Sequence, residues 1–442
     1  MMPRFQVEQH LVKLLQHLGL EQAHFGARLD IDWTGLVVTY PDVVASLTLI
    51  CPTGISPVAL APLASHLLVI NDDQRSGQRV SQAMQRLPDA KLVTLDDYSG
   101  LLWTDIVADR PETIGAAMLD FLAQMEPLRA GAKTVTRPAG QGEIDGLIYT
   151  IEGTGPPLVL LPFSLSPSQW GPILPTLQEH YTTITLSGAE VGFTAVLEAR
   201  GRSGYLRVIR SVWEEISLNP GERILEVGCG TGVLSRWLAH HTERQHPIVA
   251  MDVNEYLLQE ATALAAKEGL DRMIEYRAGN AENLPFPDAS FHATLSFTVL
   301  EEGNADRILA EMMRVTKPGG QVAVVVRGLD LPWVVNLPIR SELKARAEAP
   351  WGLHIVAQGG CADTSLYRRF HQVGLKDTKL FPHLAALDGP MGYYYLDRIE
   401  AALNDEDAQE WRAALSQAER DGTLFIAQPF HCAVGTKPSS SI

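Results

Sequence analysis

Short apolar runs alternate with helical stretches along the middle of this chain, most regularly between about residues 196 and 328. Strands that alternate with helices predict a parallel β-sheet, because each helix returns the chain to the edge where the next strand starts. This part of the chain therefore predicts an α/β domain. The runs predicted as its main strands are Ile224–Val227, His246–Met251, Ala293–Phe297 and Gln321–Val326.

The regions on either side follow other patterns. Upstream, the runs Ala45–Cys51, His66–Asn71 and Leu158–Pro162 lie between helical stretches, which predicts a second, largely parallel sheet. Downstream, two late strands are predicted at 379–381 and 423–427, the second continuing into 431–435. We therefore divide the chain into two predicted domains, 1–195 and 196–442, with an insert at about 329–370 in the second.

Composition and charge exclude several classes of protein. The formal net charge of −16 repels phosphate backbones, so we expect no nucleic-acid partner. No apolar run reaches the roughly 18 residues of a membrane-spanning helix, and the amphipathic N-terminus lacks the apolar core of a signal peptide. The four cysteines form no CxxC pair, so we expect reduced thiols and no metal site. These features predict a cytoplasmic protein that does not enter a membrane.

Three glycines spaced two apart follow the strand that ends at Val227. Gly228, Gly230 and Gly232 allow a tight turn into a helix, and their missing side chains let a ligand approach the backbone. The next predicted strand ends at Asp252, about 20 residues later, where a carboxylate can accept hydrogen bonds from a ribose diol. The glycines alone would also fit a nicotinamide dinucleotide.

Four ordered motifs resolve this ambiguity. The sequences EVGCGTG at 226–232 and GNAENLPFPDASF at 279–291, the strand-end Asp252, and EMMRVTKPGG at 311–320 together resemble class I S-adenosylmethionine (SAM) dependent methyltransferases. The subgroup they resemble includes the ubiquinone/menaquinone-biosynthesis methyltransferases, and the likeness covers about residues 200–328. It implies a Rossmann-like, seven-stranded sheet that ends in an antiparallel hairpin, which the late strands would form.

The resemblance also assigns a set of residues to SAM. Glu226 and the glycine loop would place the methionine part of SAM. Asp252 and Val253 would lie at the ribose and its surroundings, and residues 280–282 would lie at the adenine. The end of the fourth strand would lie beside the sulfonium. The implied SAM-binding residues are Glu226, Gly228, Cys229, Gly230, Gly232, Asp252, Val253, Asn280, Ala281, Glu282, Phe297 and Thr298.

Residues that meet the methyl acceptor are predicted before the glycine motif, after the fourth strand and in the insert. Aromatic side chains with a few polar groups suit a cover over an organic molecule. The predicted substrate-binding residues are Arg202, Tyr205, Glu301, Trp333 and Trp351, and the predicted catalytic residues are His354 and Tyr367. His354 could equally be a surface histidine, and His431 is interpreted as packing in the last strand.

In the predicted N-terminal domain, residues 35–54, 66–73, 86–97 and 110–122 resemble the second half of an α/β-hydrolase fold, and residues 148–186 resemble its first half. The two halves therefore occur in reversed order, as in a circular permutation. Its chemistry is missing, because the stretch Gly26–Asp30, at the place of the G-x-S-x-G nucleophile elbow, contains no serine. We expect a non-catalytic domain that acts as a scaffold, a homodimer surface or a wall over the acceptor pocket.

These observations predict an enzyme that transfers a methyl group from SAM to a small organic molecule and releases S-adenosylhomocysteine. Three alternatives remain: a methyltransferase that acts on a protein partner or nucleic acid, a non-catalytic SAM-binding or scaffold protein, and a hydrolase that works through the N-terminal region. The attacking atom of the acceptor, whether O, S, N or C, stays open.

Overall fold

The computed structural model describes residues 7–28, 36–37, 39–52, 54–73, 75–98, 105–125, 135, 137–163, 167–188, 192–350, 356–387, 392, 395–396, 399–400 and 403–439. The chain divides into two compact units, and residues 5–195 form the N-terminal one while residues 196–442 belong to the C-terminal one. Among the described residues no helix is both long and apolar enough to cross a membrane.

An eight-stranded sheet forms the centre of the N-terminal unit. Its strands lie in the order β4-β3-β2-β1-β7-β8-β6-β5, and all neighbours are parallel except β5 with β6 and β6 with β8. The strands are β1 Ala23–Ala27, β2 Val44–Ile50, β3 Leu67–Asp72, β4 Lys91–Leu95, β5 Gly140–Ile144, β6 Leu147–Glu152, β7 Pro157–Leu160 and β8 Thr182–Ser187.

Helices and buried apolar side chains cover both faces of this sheet. Successive residues of β3 illustrate the arrangement, because Leu67 and Val69 pack into one core while Leu68 and Ile70 pack into the other. Strands buried on both faces read as continuous apolar runs, which is why they could be predicted. The helices are α1 Val7–Leu18, α2 Pro57–Leu60, α3 Arg75–Met84, α4 Ile106–Asp109, α5 Pro111–Met125 and α6 Leu174–Gln178.

The C-terminal unit contains a second eight-stranded sheet. Its order is β11-β10-β9-β12-β13-β16-β14, and β15 pairs with β16. Strands β9 to β13 are parallel, whereas β16 runs antiparallel to β13, β14 and β15. The strands are β9 Ile224–Val227, β10 Ile248–Asp252, β11 Ile274–Ala278, β12 Phe291–Phe297, β13 Thr316–Arg327, β14 Val334–Val335, β15 Lys376–Leu387 and β16 Ile426–Thr436.

Asparagine caps start three of the helices in this unit. Asn254, Asn304 and Asn404 each accept a hydrogen bond from the backbone N–H three residues later, which fixes where each helix begins. The helices are α7 Gly192–Ala199, which spans the division between the units, α8 Tyr205–Trp213, α9 Val233–His241, α10 Glu255–Lys267, α11 Ala305–Val315, α12 Ser341–Glu348, α13 Ser365–Gln372 and α14 Asp405–Asp421.

The Rossmann-like sheet and its antiparallel hairpin of β15 and β16 are confirmed. The expected number of seven strands was wrong by one, because the two-residue β14 inside the predicted insert adds to the free edge of β16 beyond the end of β13. The two late strands are also longer than predicted. β15 begins at Lys376 and continues to Leu387 through exposed polar positions that break the apolar pattern.

Candidate active site

The glycine loop leaves β9 in a conformation that requires glycine. Gly228, Gly230 and Gly232 have φ of 78°, 55° and 72°, in the left-handed region. A Cβ on Gly228 would lie 2.1 Å from Val299 Cγ2, and one on Gly232 would lie 2.3 Å from the Tyr276 hydroxyl. The loop therefore approaches both the turn after β12 and Tyr276 of β11, which lies two strands away from β9, and it opens onto the N-terminus of α9.

Asp252 ends β10 directly beneath this loop. Its Oδ2 accepts a hydrogen bond of 2.8 Å from Gly230 N, and its Oδ1 accepts one of 2.9 Å from Asn254 N. Burial raises the pKa of Asp252, while the N–H groups of Asn254 and Gly230 act to lower it. The next residue, Val253, is 74% exposed, so an apolar surface lies beside the carboxylate. A carboxylate with an adjacent apolar surface suits a ribose that carries an aromatic base.

Residues 279–282 lie next to Asp252. Gly279 N donates to Asp252 O, which brings the following Asn280 and Ala281 to the same edge of the sheet. Asn280 Oδ1 accepts from Glu282 N at 2.8 Å, and Glu282 Oε1 accepts from Asn304 N at 2.8 Å. The Glu282 carboxylate therefore holds the start of α11, which gives it a structural contact that the sequence did not predict.

Glu226 faces the interior behind the glycine loop. Its side chain is buried, and Ser235 Oγ in the first turns of α9 donates a hydrogen bond to Glu226 Oε2. Burial raises the pKa of Glu226 to about 7. The carboxyl group thus ties β9 to α9. Cys229 is also buried, and burial raises the pKa of its thiol well above the usual range, so it is no reactive thiolate.

A buried ionic network braces the loop from the opposite side. The Arg236 guanidinium donates to Glu198 Oε2 at 2.5 Å and to Thr231 O at 2.6 Å, and Thr231 Oγ1 donates to Glu198 Oε1 at 2.6 Å. Arg236 also pairs with Glu268 at 2.8 Å. These contacts stabilise the loop backbone between Gly230 and Gly232. Glu198 and Arg236 are 38 positions apart, and no sequence pattern predicted their contact.

A strained turn follows β12 at the place predicted for the sulfonium. Thr298 has φ of 57°, which is an outlier for a β-branched residue and is found mainly at functional sites. Its N–H donates to Val325 O at 2.7 Å, and its hydroxyl accepts from Arg200 Nη1 at 3.3 Å. Phe297, directly before it, is buried. The turn presents Thr298 toward the segment that precedes α8.

Glu301 lies buried three residues after this turn. Its Oε1 accepts from Arg327 N at 2.8 Å, with the Arg327 guanidinium at 3.6 Å, while its Oε2 has no hydrogen-bond partner among the described residues. Burial raises the pKa of Glu301 to about 7. Glu302 contacts the same guanidinium at 3.8 Å but is 42% exposed. Glu301 therefore combines a free oxygen atom with a pKa suited to accepting a proton near neutral pH.

Tyr205 faces this acidic group from the start of α8. Its side chain is fully buried, with the Arg200 guanidinium 5.3 Å from the ring centre. The Tyr205 hydroxyl points toward Thr298 and Arg200 but makes no hydrogen bond of good geometry within the described part of the chain. The structure thus brings predicted residues Tyr205, Thr298 and Glu301 together at the carboxyl ends of β12 and β13.

Other predicted acceptor residues have different surroundings. Arg202 lies exposed in the turn before α8, and Trp333 is buried with its ring 4.9 Å from that of Tyr395. The Tyr367 hydroxyl is 2.9 Å from His431 Nδ1, and His431 Nε2 is 2.7 Å from Asp330 Oδ1. His431 therefore connects Tyr367 with Asp330 through polar contacts, whereas the sequence had indicated only a packing role for His431. Trp351 and His354 lie outside the described residues.

Comparison with known proteins agrees with this arrangement. Residues 224–320 match a family model described as a methyltransferase domain. A ubiquinone/menaquinone biosynthesis C-methyltransferase of Legionella pneumophila (strain Corby) is 32% identical over 123 residues, which are 26% of this chain and 49% of that protein. A 24-methylenesterol C-methyltransferase of Oryza sativa subsp. japonica is 31% identical over 168 residues, 38% of this chain and 44% of that protein.

The chain spans about half the length of these curated relatives. The crystal structure of geranyl diphosphate C-methyltransferase from Streptomyces coelicolor A3(2) aligns with 52% of this chain and 79% of its own, at 14% identity and a TM-score of 0.33. The sequence matches show that the C-terminal unit contains a SAM-dependent methyltransferase domain.

Proposed function

We propose that this protein transfers the methyl group of SAM to a small organic molecule and releases S-adenosylhomocysteine. The observation that carries the proposal is the contact between the glycine loop and the turn after β12, where Gly228 lies against Val299. Glu301, with its free oxygen, lies two residues after Val299. The donor loop and a group able to accept a proton are thus adjacent.

The residues at the loop fit SAM as the methyl donor. Asp252 would accept hydrogen bonds from the ribose hydroxyls, and the exposed Val253 would lie under the adenine, with Asn280 and Ala281 at its edge. Gly228, Gly230 and Gly232 would leave room for the methionine part. SAM supplies an activated methyl group on a sulfonium. The protein therefore mainly has to align the acceptor and exclude water.

We propose a carbon atom as the methyl acceptor, because the matched curated relatives are C-methyltransferases. Methylation at an enolic or aromatic carbon releases a proton from the acceptor. Glu301 Oε2 would take that proton, and the Arg327 guanidinium would hold the other oxygen atom in place. Attack by oxygen, sulfur or nitrogen would use the same alignment, and Glu301 would matter less for an acceptor that is already deprotonated.

The first experiment measures S-adenosylhomocysteine release from purified protein and SAM across phenols, enolisable ketones, thiols, amines and carboxylic acids. We expect turnover with at least one enolisable or phenolic compound, and mass spectrometry of the product will show whether carbon or oxygen is methylated. If the protein bound SAM but methylated no compound of any class, the small-molecule proposal would be contradicted. That result would favour a protein acceptor or a non-catalytic SAM-binding role.

The Asp252 assignment predicts a loss of SAM affinity. Asp252→Ala removes the acceptor of the ribose hydroxyls and the contact with Gly230, so we expect SAM binding to weaken by about 1 kcal/mol or more, roughly fivefold in Kd. Calorimetric titration measures this directly. Asp271→Ala is the matched control, because Asp271 is exposed in the turn after α10. Equal Kd values for the two variants would remove Asp252 from the SAM site.

For the N-terminal unit we propose a circularly permuted, non-catalytic α/β-hydrolase-like domain. Counted from β5 through β8 and then β1 to β4, its strands lie in the order 1-2-4-3-5-6-7-8 within one sheet. The parallel pairing of β1 with β7 joins the two reversed halves in one sheet. Arg28, buried directly after β1, stands where a hydrolase would carry its nucleophile turn.

A further inference from the structure

A buried glutamine on β16 carries an amide that the protein itself does not satisfy. The Gln428 side chain is 1% exposed, and neither its Oε1 nor its Nε2 has a hydrogen-bond partner within the described ranges. Burying an unpaired amide destabilises a fold, so such groups in a native protein call for an explanation. A molecule that binds at this position is one such explanation.

The strand register places Gln428 beside the proposed acceptor site. Phe430 pairs with Arg327 at the end of β13, and its ring centre lies 5.1 Å from that of Tyr205. Side chains two residues apart on a strand share a face, so Gln428 points to the same side as Phe430. Its cross-strand partner is Ala385, and a Cβ on Gly204 would lie 2.1 Å from the next carbonyl oxygen, of Ala386. Gln428 therefore lies next to the start of α8.

Three further buried polar atoms in this region also have no hydrogen-bond partner among the described residues. They are the Tyr205 hydroxyl, Arg200 Nε and Glu301 Oε2. The first two can donate hydrogen bonds and the third can accept one, while the amide of Gln428 can do both. Donors and acceptors without partners are thus found on α8, on β16 and in the two connecting segments of this region. An apolar acceptor would leave all of them unpaired.

We propose that Gln428 recognises the methyl acceptor by pairing with a planar group that carries a hydrogen-bond donor beside an acceptor. Carboxamides and enolised 1,3-dicarbonyl compounds have this pattern, whereas a carboxylic acid has it only in its un-ionised form. A carboxamide forms two parallel hydrogen bonds with such a group. It binds an isostere without the donor and acceptor more weakly, because the buried amide is then left unpaired. This proposal rests on the proposed function, since it specifies the acceptor of the same site.

The first test needs no ligand. Gln428→Leu replaces the amide with an apolar side chain of similar size, so the ligand-free variant should melt at the same temperature as the wild type or higher. Gln417→Leu is the control, because Gln417 is exposed on α14 and its amide donates to Asp421. A Tm of Gln428→Leu several degrees below that of wild type would show that the amide has a partner in the free protein, and would overturn the proposal.

The second test uses benzamide and acetylacetone as donor–acceptor probes, with anisole as the probe that lacks a donor. Each is titrated into wild type and Gln428→Leu in the presence of saturating S-adenosylhomocysteine. We expect at least one donor–acceptor probe to bind wild type at least tenfold more tightly than the variant, and anisole to bind both equally. Equal affinities for every probe would overturn the proposal. Failure of wild type to bind SAM would instead count against the proposed function, while the Tm comparison would still be interpretable.

Discussion

Gly228→Ala will lower the affinity for SAM by roughly 100-fold, about 2.7 kcal/mol at 25 °C. Two costs act at this position. An alanine at φ of 78° is strained by about 1–2 kcal/mol. In addition, its Cβ would lie 2.1 Å from Val299 Cγ2, so either the loop or the turn after β12 must move. Each movement displaces groups that we assign to SAM, and isothermal titration with SAM will measure the loss.

Gly221→Ala separates the two costs. Gly221 has φ of 86°, and a Cβ there would meet no atom within 4 Å, so alanine is strained without any clash. We expect both variants to lose stability in thermal unfolding, and only Gly228→Ala to lose SAM affinity. If Gly221→Ala weakened SAM binding as much, the effect would come from general destabilisation. If Gly228→Ala bound SAM normally, the loop would not be the donor site.

The SAM side of the site could be predicted because it is local in sequence. The loop from Gly228 to Gly232 and the end of β10 at Asp252 each follow a short apolar run, and parallel strands bring those ends to one edge. The features that hold the loop could not be predicted. Arg236 meets Glu198 across 38 positions, and nothing in a helical pattern shows that a charged residue will be buried.

The acceptor side depends even more on tertiary structure. Glu301 follows a recognisable strand, so it could be predicted, but its raised pKa depends on burial beside Arg327, 26 positions later. Gln428 resembles any polar residue in a late strand, and only the register of β16 with β13 and β15 shows where its amide lies. Tyr367 was predicted as a catalytic residue together with His354, and the contact of its hydroxyl with His431 on a distant strand could not be predicted.

In the N-terminal sheet, individual strands could be predicted from the sequence, but the pairing of distant strands could not. Strands β2, β3 and β7 were recognisable as apolar runs, because they are buried on both faces. The pairing of β1 with β7 joins residues more than 130 positions apart, as in Phe25 with Val159, and no local pattern specifies it. The sequence left open whether the two reversed halves share one sheet, and the pairing of β1 with β7 joins them in one.

The acidic group after β12 leads to the second large expected effect. Glu301→Gln keeps the shape of the side chain but removes its ability to accept a proton, so we expect kcat to fall by about 100-fold or more with an acceptor that must lose a proton. The Kd for SAM should stay unchanged, because Glu301 lies outside the donor loop. Glu302→Gln is the matched control, since Glu302 contacts the same Arg327 guanidinium but is 42% exposed. We expect its kcat to stay within about threefold of wild type.

The pH dependence gives an independent measurement of the same role. Glu301 accepts a proton only when ionised, and burial raises its pKa to about 7, so kcat/KM of the wild type should rise with pH through about 7 and level off above it. In Glu301→Gln that rise should disappear. Stability should change in the opposite direction. The free energy of unfolding should fall as pH rises from 4.5, the ordinary pKa of a glutamate, to about 7, the pKa of Glu301 in the folded protein, because over this range the unfolded state binds fewer protons. Glu226 has the same raised pKa, so the decrease in Tm as pH rises from 4.5 to about 7 should become smaller in the variant without vanishing. A variant that kept both its kcat and its rise near pH 7 would show that another group takes the proton, and Glu301 would then only hold Arg327 in place.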